Sequence, residues 1–494
     1  MTQTYNYQSI CEALSRKISI NGALIAARST ETLSIPNPAT LETIGTIALC
    51  SDEDLTLAIT AAEKAQADWK KKGAPERGKL VRACGDILKA NAEELAQIMS
   101  YETGKAIQTE SRPELGVIAD TFYYYAGLAL ELKGETIPYS PNMLTMTLRE
   151  PLGVVGAIIP WNVPLMLMSM KICPALVAGN TVVLKASPEA NFCVLRAAEL
   201  MNKILPAGVF NVITGGVETG KKLVAHPKIK KITFTGSVDS GRQVYQSAAA
   251  NIIPVTLELG GKSPLIICED AELDKVVDGA YDAMRFTRQG QSCSAATRFL
   301  VHDALHDRFI EKLLQKLDSK VIGDPMDDKT EIGTIISKRQ FDKVQNFVTA
   351  AQADRSLKVH QSGKLPTDAR FAKGLFFKPT LVSGLTNSND LCQKEVFGPV
   401  AAILKWSRFE DAMAMANDVE FGLAAGIWTR DLSRALQAVQ ALEAGFVQVN
   451  QYMVFRPSMP FGGFKHSGIG KEASLKSMLD HYTREKTVLI NMLG

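Results

Sequence analysis

The sequence predicts an α/β protein built on parallel sheets. Three observations carry that reading. From residue 153 onward, short continuously apolar runs recur between stretches of helical periodicity. A run that is apolar throughout, without alternation, is a strand covered on both faces. Helix-length segments separate the runs, so successive strands are joined by crossovers and not by hairpins. The chain has 494 residues, too long for one ordinary core, so two or three domains are expected.

Residues 51–135 read as helical. Ser51-Asp52-Glu53-Asp54 has a capping serine and an acidic first turn, and Leu55, Ile59, Ala62, Ala65 and Trp69 follow at helical spacing. Similar patterns run through 74–100 and 110–132. After Gly134 the stretch Thr145–Glu150 is rich in β-formers and alternates weakly, as an exposed hairpin strand does. Val154–Ile159 is then a buried strand, followed by a turn at Pro160-Trp161-Asn162 and a helix over 164–178. Thr181–Lys185 is a second strand, with a helix over 188–203 behind it. Val209–Ile213 and Lys231–Phe234 are the third and fourth. Such an alternation is a dinucleotide-binding type of architecture, whose ligands sit at the carboxyl ends of the strands. The run Ile252–Leu257 reads as a further buried strand closed by Glu258. Residues 263–450 repeat the alternation more loosely, with strands at Ser263–Ile267 and Ala401–Leu404. A Gly-rich loop, 460–470, precedes a last helix around 471–480, and Thr487–Ile490 is a terminal strand.

Composition narrows the class. Hydrophobic residues make up 46% and charged residues 22%, as in ordinary globular enzymes. The net charge is +3 and the basic runs, Lys70–Lys72 and Lys228–Lys231, are short, so nucleic acid is not an expected partner. The eight cysteines include no Cys-x-x-Cys and no close Cys/His cluster, which argues against disulfides and a zinc site and for a reducing compartment. Met1–Asn6 shows no basic-then-apolar signal, and no apolar stretch reaches the roughly 20 residues of a spanning helix. A cytoplasmic protein with no membrane partner is expected.

Cys293 is the leading candidate nucleophile. Its neighbours in Gly290-Gln291-Ser292-Cys293-Ser294-Ala295 are small and leave room for a substrate, whereas a packing cysteine sits among bulky apolar residues. Glu258, at a strand end before Gly260-Gly261, is placed to face a cleft as a general base. Phe234-Thr235-Gly236-Ser237 lies at a strand-to-helix junction, where free N–H groups suit a phosphate. Taken alone it is equally a tight turn. It is not a Walker loop, since Arg242-Gln243 replaces Lys-Ser/Thr. Lys185 follows a buried strand and reads as a ribose ligand or a snorkelling strand-end lysine. Asn162 on these grounds is a turn residue.

The chain resembles the aldehyde dehydrogenase family. Phe286–Arg298 matches the pattern Phe-x-x-x-Gly-Gln-x-Cys-x-Ala-x-x-Arg, and Glu258–Pro264 matches Glu-Leu-Gly-Gly-Lys-x-Pro. Phe234-Thr235-Gly236-Ser237, Glu395-Val396-Phe397-Gly398-Pro399, Pro160-Trp161-Asn162, Asn450 and Pro460-Phe461-Gly462-Gly463 match further family motifs. The resemblance implies a Rossmann-type cofactor domain (1–133 and 151–258), an α/β catalytic domain (259–478) and a small β oligomerisation segment (134–150 and 479–494). It implies NAD, with NADP possible, held by Ile159, Pro160, Trp161, Lys185, Ser187, Gly216, Gly220, Phe234, Gly236, Ser237, Leu259, Gly260, Glu395 and Phe397. It implies Cys293 as nucleophile, Glu258 as base for water, Asn162 with the Cys293 N–H as oxyanion hole, and Lys171 behind the glutamate in proton relay. One departure stands out: Pro188 occupies the place of the usual ribose-binding glutamate, and Glu189 follows it. Ser187-Pro188-Glu189 also reads as a helix cap and acidic first turn.

By the same resemblance Val163, Leu167, Met170, Thr287, Ser292, Ser294, Met453, Phe455 and Phe461 line the aldehyde tunnel. Most are apolar, which favours an aliphatic or aromatic aldehyde. The semialdehyde branch has arginines where this chain has Met170 and Thr287, although Arg288 and Arg456 lie close by. Met453 does not supply the aromatic or acidic surround that a quaternary ammonium wants. The rival readings are a CoA-acylating relative, which typically lacks the glutamate, a relative with lapsed catalysis, and a cysteine hydrolase, for which no histidine partner lies in the matched motifs. The strand-like segments 134–150 and 482–491 are expected to join subunits in a dimer or tetramer, since an exposed edge needs covering.

Overall fold

The computed structural model describes residues 6–452 and 454–493. Met453, Gly494 and the N-terminal stretch up to Tyr5, on which part of the leader reading rests, lie outside them. The first sheet is built from strands at Val154–Ile158, Thr181–Lys185, Phe210–Ile213, Ile229–Thr235 and Val255–Glu258, all parallel. Their order across the sheet is third, second, first, fourth, fifth. The chain therefore reverses its winding between Val154–Ile158 and Ile229–Thr235, and the crevice at their carboxyl ends is where a doubly wound sheet takes its ligand. Register aligns the functional ends. Ile158 pairs with both Lys185 and Phe234, and Thr235 pairs with Glu258. The strands are buried almost throughout, with helices on both faces.

Two edges of this sheet carry no clear signal in the sequence. Lys17–Ile20 and Ala23–Ala26 extend it beyond Phe210–Ile213, and Gly468–Ile469 pairs antiparallel with Leu257–Glu258. The second contact carries the Gly-rich loop across to the first sheet. A second sheet of mostly parallel strands includes Pro264–Ile267, Arg298–His302, Val400–Trp406, Ala424–Trp428 and Phe446–Val449. A third, antiparallel sheet joins Thr136–Ser140, Met143–Pro151 and Thr483–Asn491.

Several expected boundaries shift for local reasons. The strand before Glu258 starts at Val255, not Ile252, because Ile252 is in the left-handed region (φ 50) and 93% exposed. The expected helix 188–203 is one 3-10 turn at Pro188–Ala190 and then an α-helix, Phe192–Met201. The last helix runs Leu475–Tyr482, capped by Ser474. The early helical region is Asp52–Lys71, Ala74–Ala90, Ala92–Thr103 and Arg112–Gly127, with a π-helical turn at Ile107–Ser111 before the last. Ser51 forms the expected N-terminal cap, reciprocated by Asp54.

Candidate active site

A cleft of about 480 Å³ opens at the switch point. Its walls include Ile159, Pro160, Trp161 and Asn162 from the turn after Val154–Ile158. Phe234, Gly236 and Ser237 come from the end of Ile229–Thr235, and Leu259 and Gly260 from the end of Val255–Glu258. Lys185, Ser187, Gly216, Gly220, Glu395, Phe397 and Cys293 complete it, so every residue assigned to the cofactor lies on one cavity together with the candidate nucleophile.

The donor set suits a dinucleotide. Ser237 caps the helix Val238–Ala250, and that helix N-terminus with its free N–H groups borders the cleft. A Cβ at Gly216 would meet no atom within 4 Å, and one at Gly220 would meet nothing nearer than Lys185 Cδ at 3.7 Å. Small residues there keep the floor open. Trp161 and Phe397 meet edge to face, centroids 5.4 Å apart, as an aromatic wall. Phe397 sits at φ 57, and Gln340 Nε2 donates to its carbonyl and that of Val396, which holds the loop in this conformation. Burial pushes the Lys185 ammonium down to about 8, with Glu189 opposing. Glu189 also lines the cleft, and Ser187 Oγ donates to its Oε2 at 2.6 Å. Pro188 thus displaces the carboxylate by one residue without removing it from the cavity. Glu395 Oε1 accepts from the Gly261 N–H at 3.0 Å. Any Cβ on Gly260 would come within 2.7–2.9 Å of the Glu395 carboxylate, which explains the glycine. Lys343, which no motif signals, borders the same pocket near Glu395.

Cys293 follows a tight turn in which Gln289 and Gly290 are both left-handed. Its thiol is pushed up to about 12, first by burial and then by Glu395 and Glu258, with the Ser294 N–H and Arg288 opposing. The resting group is therefore a thiol, and an acceptor must take its proton before it attacks. Asn162 is buried, and its Nδ2 reaches the Gln291 carbonyl at 3.3 Å. The Asn162 amide thus sits beside the loop that carries the cysteine.

Glu258 is enclosed, and neither carboxylate oxygen has a hydrogen-bond partner among the described residues. Burial raises its pKa well above 4.5, Glu472 raises it further, and Lys171 and Lys471 oppose. Gly462 packs against it: a Cβ there would lie 2.6 Å from Glu258 Oε1. Lys171 is fully buried, but its Nζ pairs with Glu472 Oε1 at 2.7 Å and Thr233 Oγ1 at 3.2 Å. Sequence reasoning misses Glu472. It lies 301 positions from Lys171 and carries no signal beyond being an acid after a Gly-Lys pair.

The tunnel candidates are less unified. The cofactor cleft includes Asn162 and Cys293, but none of the described tunnel candidates lines it. Val163 and Met170 are buried and Leu167 half-buried at the start of the helix Pro164–Val177. Ser292 and Ser294 face each other, Oγ to Oγ 3.3 Å. Phe455 and Phe461 stack edge to face, centroids 5.8 Å apart. Thr287 Oγ1 donates to Glu110 Oε1 at 2.5 Å, and Arg288 Nε to Glu110 Oε2 at 2.6 Å. Arg288 is thus matched by a buried carboxylate. Arg456 is exposed. Met453 lies outside the described residues.

A candidate nucleophilic cysteine and an amide donor thus line a cleft suited to a dinucleotide, near a buried carboxylate with no hydrogen-bond partner among the described residues. The chain belongs to the aldehyde dehydrogenase family, whose model matches residues 25–488. A putative aldehyde dehydrogenase from Burkholderia cenocepacia is 38% identical over 97% of this chain and 98% of its own, with a TM-score of 0.94. PnpE from Pseudomonas sp. WBC-3 is 37% identical over 97% and 98%, TM-score 0.93. Betaine aldehyde dehydrogenase from Staphylococcus aureus, solved in complex with NAD+, is 33% identical over 100% and 98%, TM-score 0.94. The protein is an oxidoreductase acting on aldehydes. No helix among the described residues is long and apolar enough to cross a membrane.

Proposed function

We propose that the protein oxidises an apolar aliphatic or aromatic aldehyde to its carboxylic acid with NAD+, through a covalent adduct on Cys293. The observation that carries the reading is the meeting of Cys293 and Asn162 on the cofactor cleft, with Glu258, whose oxygens have no hydrogen-bond partner among the described residues, close enough for its charge to raise the pKa of the thiol. Burial raises the pKa of Glu258 well above the usual carboxylate value, so once ionised it is a stronger base than a solvated carboxylate. The Cys293 thiol, which is not sealed from solvent, gives up its proton to water as sulfur bonds to the aldehyde carbon, and Glu258 stays ionised. The carbonyl oxygen becomes an oxyanion facing the Asn162 amide and the Cys293 N–H, fixed dipoles that need no reorganisation. When bound, NAD+ supplies the acceptor for the hydride that leaves the adduct, and a thioester remains on Cys293. Glu258 then takes a proton from water, whose oxygen attacks the thioester carbon. The C–S bond breaks, the acid leaves and the thiolate is reprotonated. Glu258 weighs against the CoA-acylating alternative, which has no use for a water-activating base.

NAD+ is favoured over NADP+ because Glu189, held by Ser187, puts a carboxylate on the cleft where a 2′-phosphate would be repelled. An uncharged aldehyde is favoured because Glu110 already matches Arg288. The division into a cofactor domain, a catalytic domain and a β segment is part of the proposal. So is a cytoplasmic dimer or tetramer, supported by Ile137, Tyr139, Leu489 and Ile490 exposed on the third sheet.

The test is absorbance of the reduced nicotinamide, with NAD+ and separately NADP+, against aliphatic, aromatic and semialdehyde substrates. Reduction without CoA that disappears in Cys293→Ala supports the reading. Reduction that needs CoA, or tight NAD+ binding with no reduction, overturns it.

A further inference from the structure

We propose that the buried ion pair Lys105–Glu114 positions the oxyanion-hole residue Asn162, so that both are positioning residues for the reaction. The inference rests on the role given above to Asn162.

Asn162 lies in the turn between the strand Val154–Ile158 and the helix Pro164–Val177. The helix has no cap of its own: its N-cap is Val163, which makes no side-chain bond to the first turn. The free N–H groups of a helix start need partners. Glu114 supplies one from a distant helix, its Oε1 accepting from the Leu165 and Met166 N–H groups at 3.1 Å each. The other oxygen, Oε2, accepts from Lys105 Nζ at 2.5 Å. Lys105 Nζ also donates to the main-chain carbonyl of Asn162 at 3.2 Å. The pair therefore grips the turn twice, at the asparagine's own backbone and just past it.

The pair is nearly sealed from solvent, with side chains 3% and 1% exposed. Desolvating two charges costs about what their attraction returns, so such a pair is weak evidence for stability. An apolar pair would fill the space. It would not hold a carbonyl and two amides in a fixed relation. The local backbone is shaped to present the pair. Gly104, left-handed at φ 71, ends the preceding helix against Thr334, where a Cβ would meet Thr334 Oγ1 at 1.8 Å. The π-helical turn Ile107–Ser111 then resets the phase before Glu114. Such turns recur at functional sites. The same turn directs Glu110 to Arg288, whose carbonyl accepts from Gln291 Nε2 at 3.3 Å, and the Gln291 carbonyl in turn accepts from Asn162 Nδ2.

The test uses p-nitrophenyl acetate, whose hydrolysis through Cys293 needs the oxyanion hole and neither aldehyde nor cofactor. The acylation rate is measured for the full-length wild type, Asn162→Ala, Lys105→Met and the double variant, with NAD+ affinity as a control. Lys105→Met is expected to slow acylation by about 10- to 100-fold, with NAD+ affinity unchanged. In the Asn162→Ala background it is expected to cost less than about twofold, because the group it positions is gone. Equal losses in both backgrounds would mean a general structural role and overturn the proposal, as would a Lys105→Met rate within about twofold of wild type. Should Lys105→Met not fold, Glu114→Gln replaces it in the same cycle with the same criteria. A separate outcome addresses the underlying reading: an Asn162→Ala rate equal to wild type, or no Cys293-dependent hydrolysis, would sink the oxyanion assignment itself.

Discussion

Glu258→Gln should both stabilise the protein and stall it after one turnover. Both effects follow from an enclosed carboxylate with no hydrogen-bond partner among the described residues and with Glu472 nearby. A carboxyl whose pKa is higher in the folded chain than in the unfolded one holds its proton more tightly when folded. Its ionisation costs the folded state nothing below the unfolded value, 4.5 here. The cost grows as pH rises towards the folded value and is constant above it. Every tenfold displacement of the ionisation constant is worth ~1.4 kcal/mol. A buried unsatisfied polar group costs about 1–3 kcal/mol, and more when charged. The amide that replaces the carboxylate has no charge to desolvate, so the variant gains on wild type across that window. With about 2.1 cal/mol/K of unfolding entropy per residue over 494 residues, a gain of ~1–3 kcal/mol raises the melting temperature by about 1–3 °C. Scanning calorimetry at pH 5 and pH 8 reads the difference, which should be larger at pH 8. Stopped-flow absorbance reads the chemistry. One reduced nicotinamide should form per active site, followed by a steady rate lower by about 10²–10⁴. A melting temperature unchanged or lowered at pH 8, together with linear turnover and no burst, would refute the assignment of Glu258 as an enclosed base that ionises there.

Glu472 raises the Glu258 pKa and Lys171 lowers it. Glu472→Gln should therefore move the acidic limb of the kcat–pH profile to lower pH, and Lys171→Met to higher pH. A limb that stays put in both would remove the pair from the proton path. Glu189→Gln should raise the NADP+/NAD+ ratio of kcat/KM by about tenfold, through loss of like-charge repulsion; an unchanged ratio in steady-state assays would exclude Glu189 as the discriminator. Glu110→Gln frees the Arg288 charge, so kcat/KM for succinic semialdehyde relative to butanal should rise by about tenfold. An unchanged relative rate would show that Arg288 does not reach the substrate.

What can be read from the sequence follows from how the site is made. In a doubly wound sheet the ligand lies at the carboxyl ends of strands, so the groups that meet it sit within a few residues of an apolar run. Asn162, Lys185, Ser187, Gly236 and Glu258 all do, each at or just past the end of a recognisable strand. The strands are equally legible, because burial on both faces leaves unbroken apolar runs. Misplaced boundaries fall where a local backbone feature overrides the pattern, as at Ile252, apolar but left-handed and exposed.

The groups that tune the site are not legible, for the opposite reason. Glu472 reaches Lys171 only because the loop 460–470 crosses to pair with Leu257–Glu258. Lys105 and Glu114 reach Asn162 and the start of the Pro164–Val177 helix from another part of the chain, Lys105 from the link after Gly104 and Glu114 from a segment that looks like ordinary amphipathic helix. Nothing in their spacing distinguishes them from solvated Lys and Glu on a helix face. Burial is what separates them, and burial of a charge is a property of tertiary packing. The candidate groups Asn162 and Glu258 are thus encoded locally, at strand ends, and Cys293 by its small neighbours in the loop before Arg298–His302, while the fields and restraints on them are encoded in contacts between segments distant in the chain. A variant of Cys293 or Asn162 should therefore fail by losing a group. One at Lys105 or Glu472 should fail by degrees, keeping the groups and losing their alignment or their pKa.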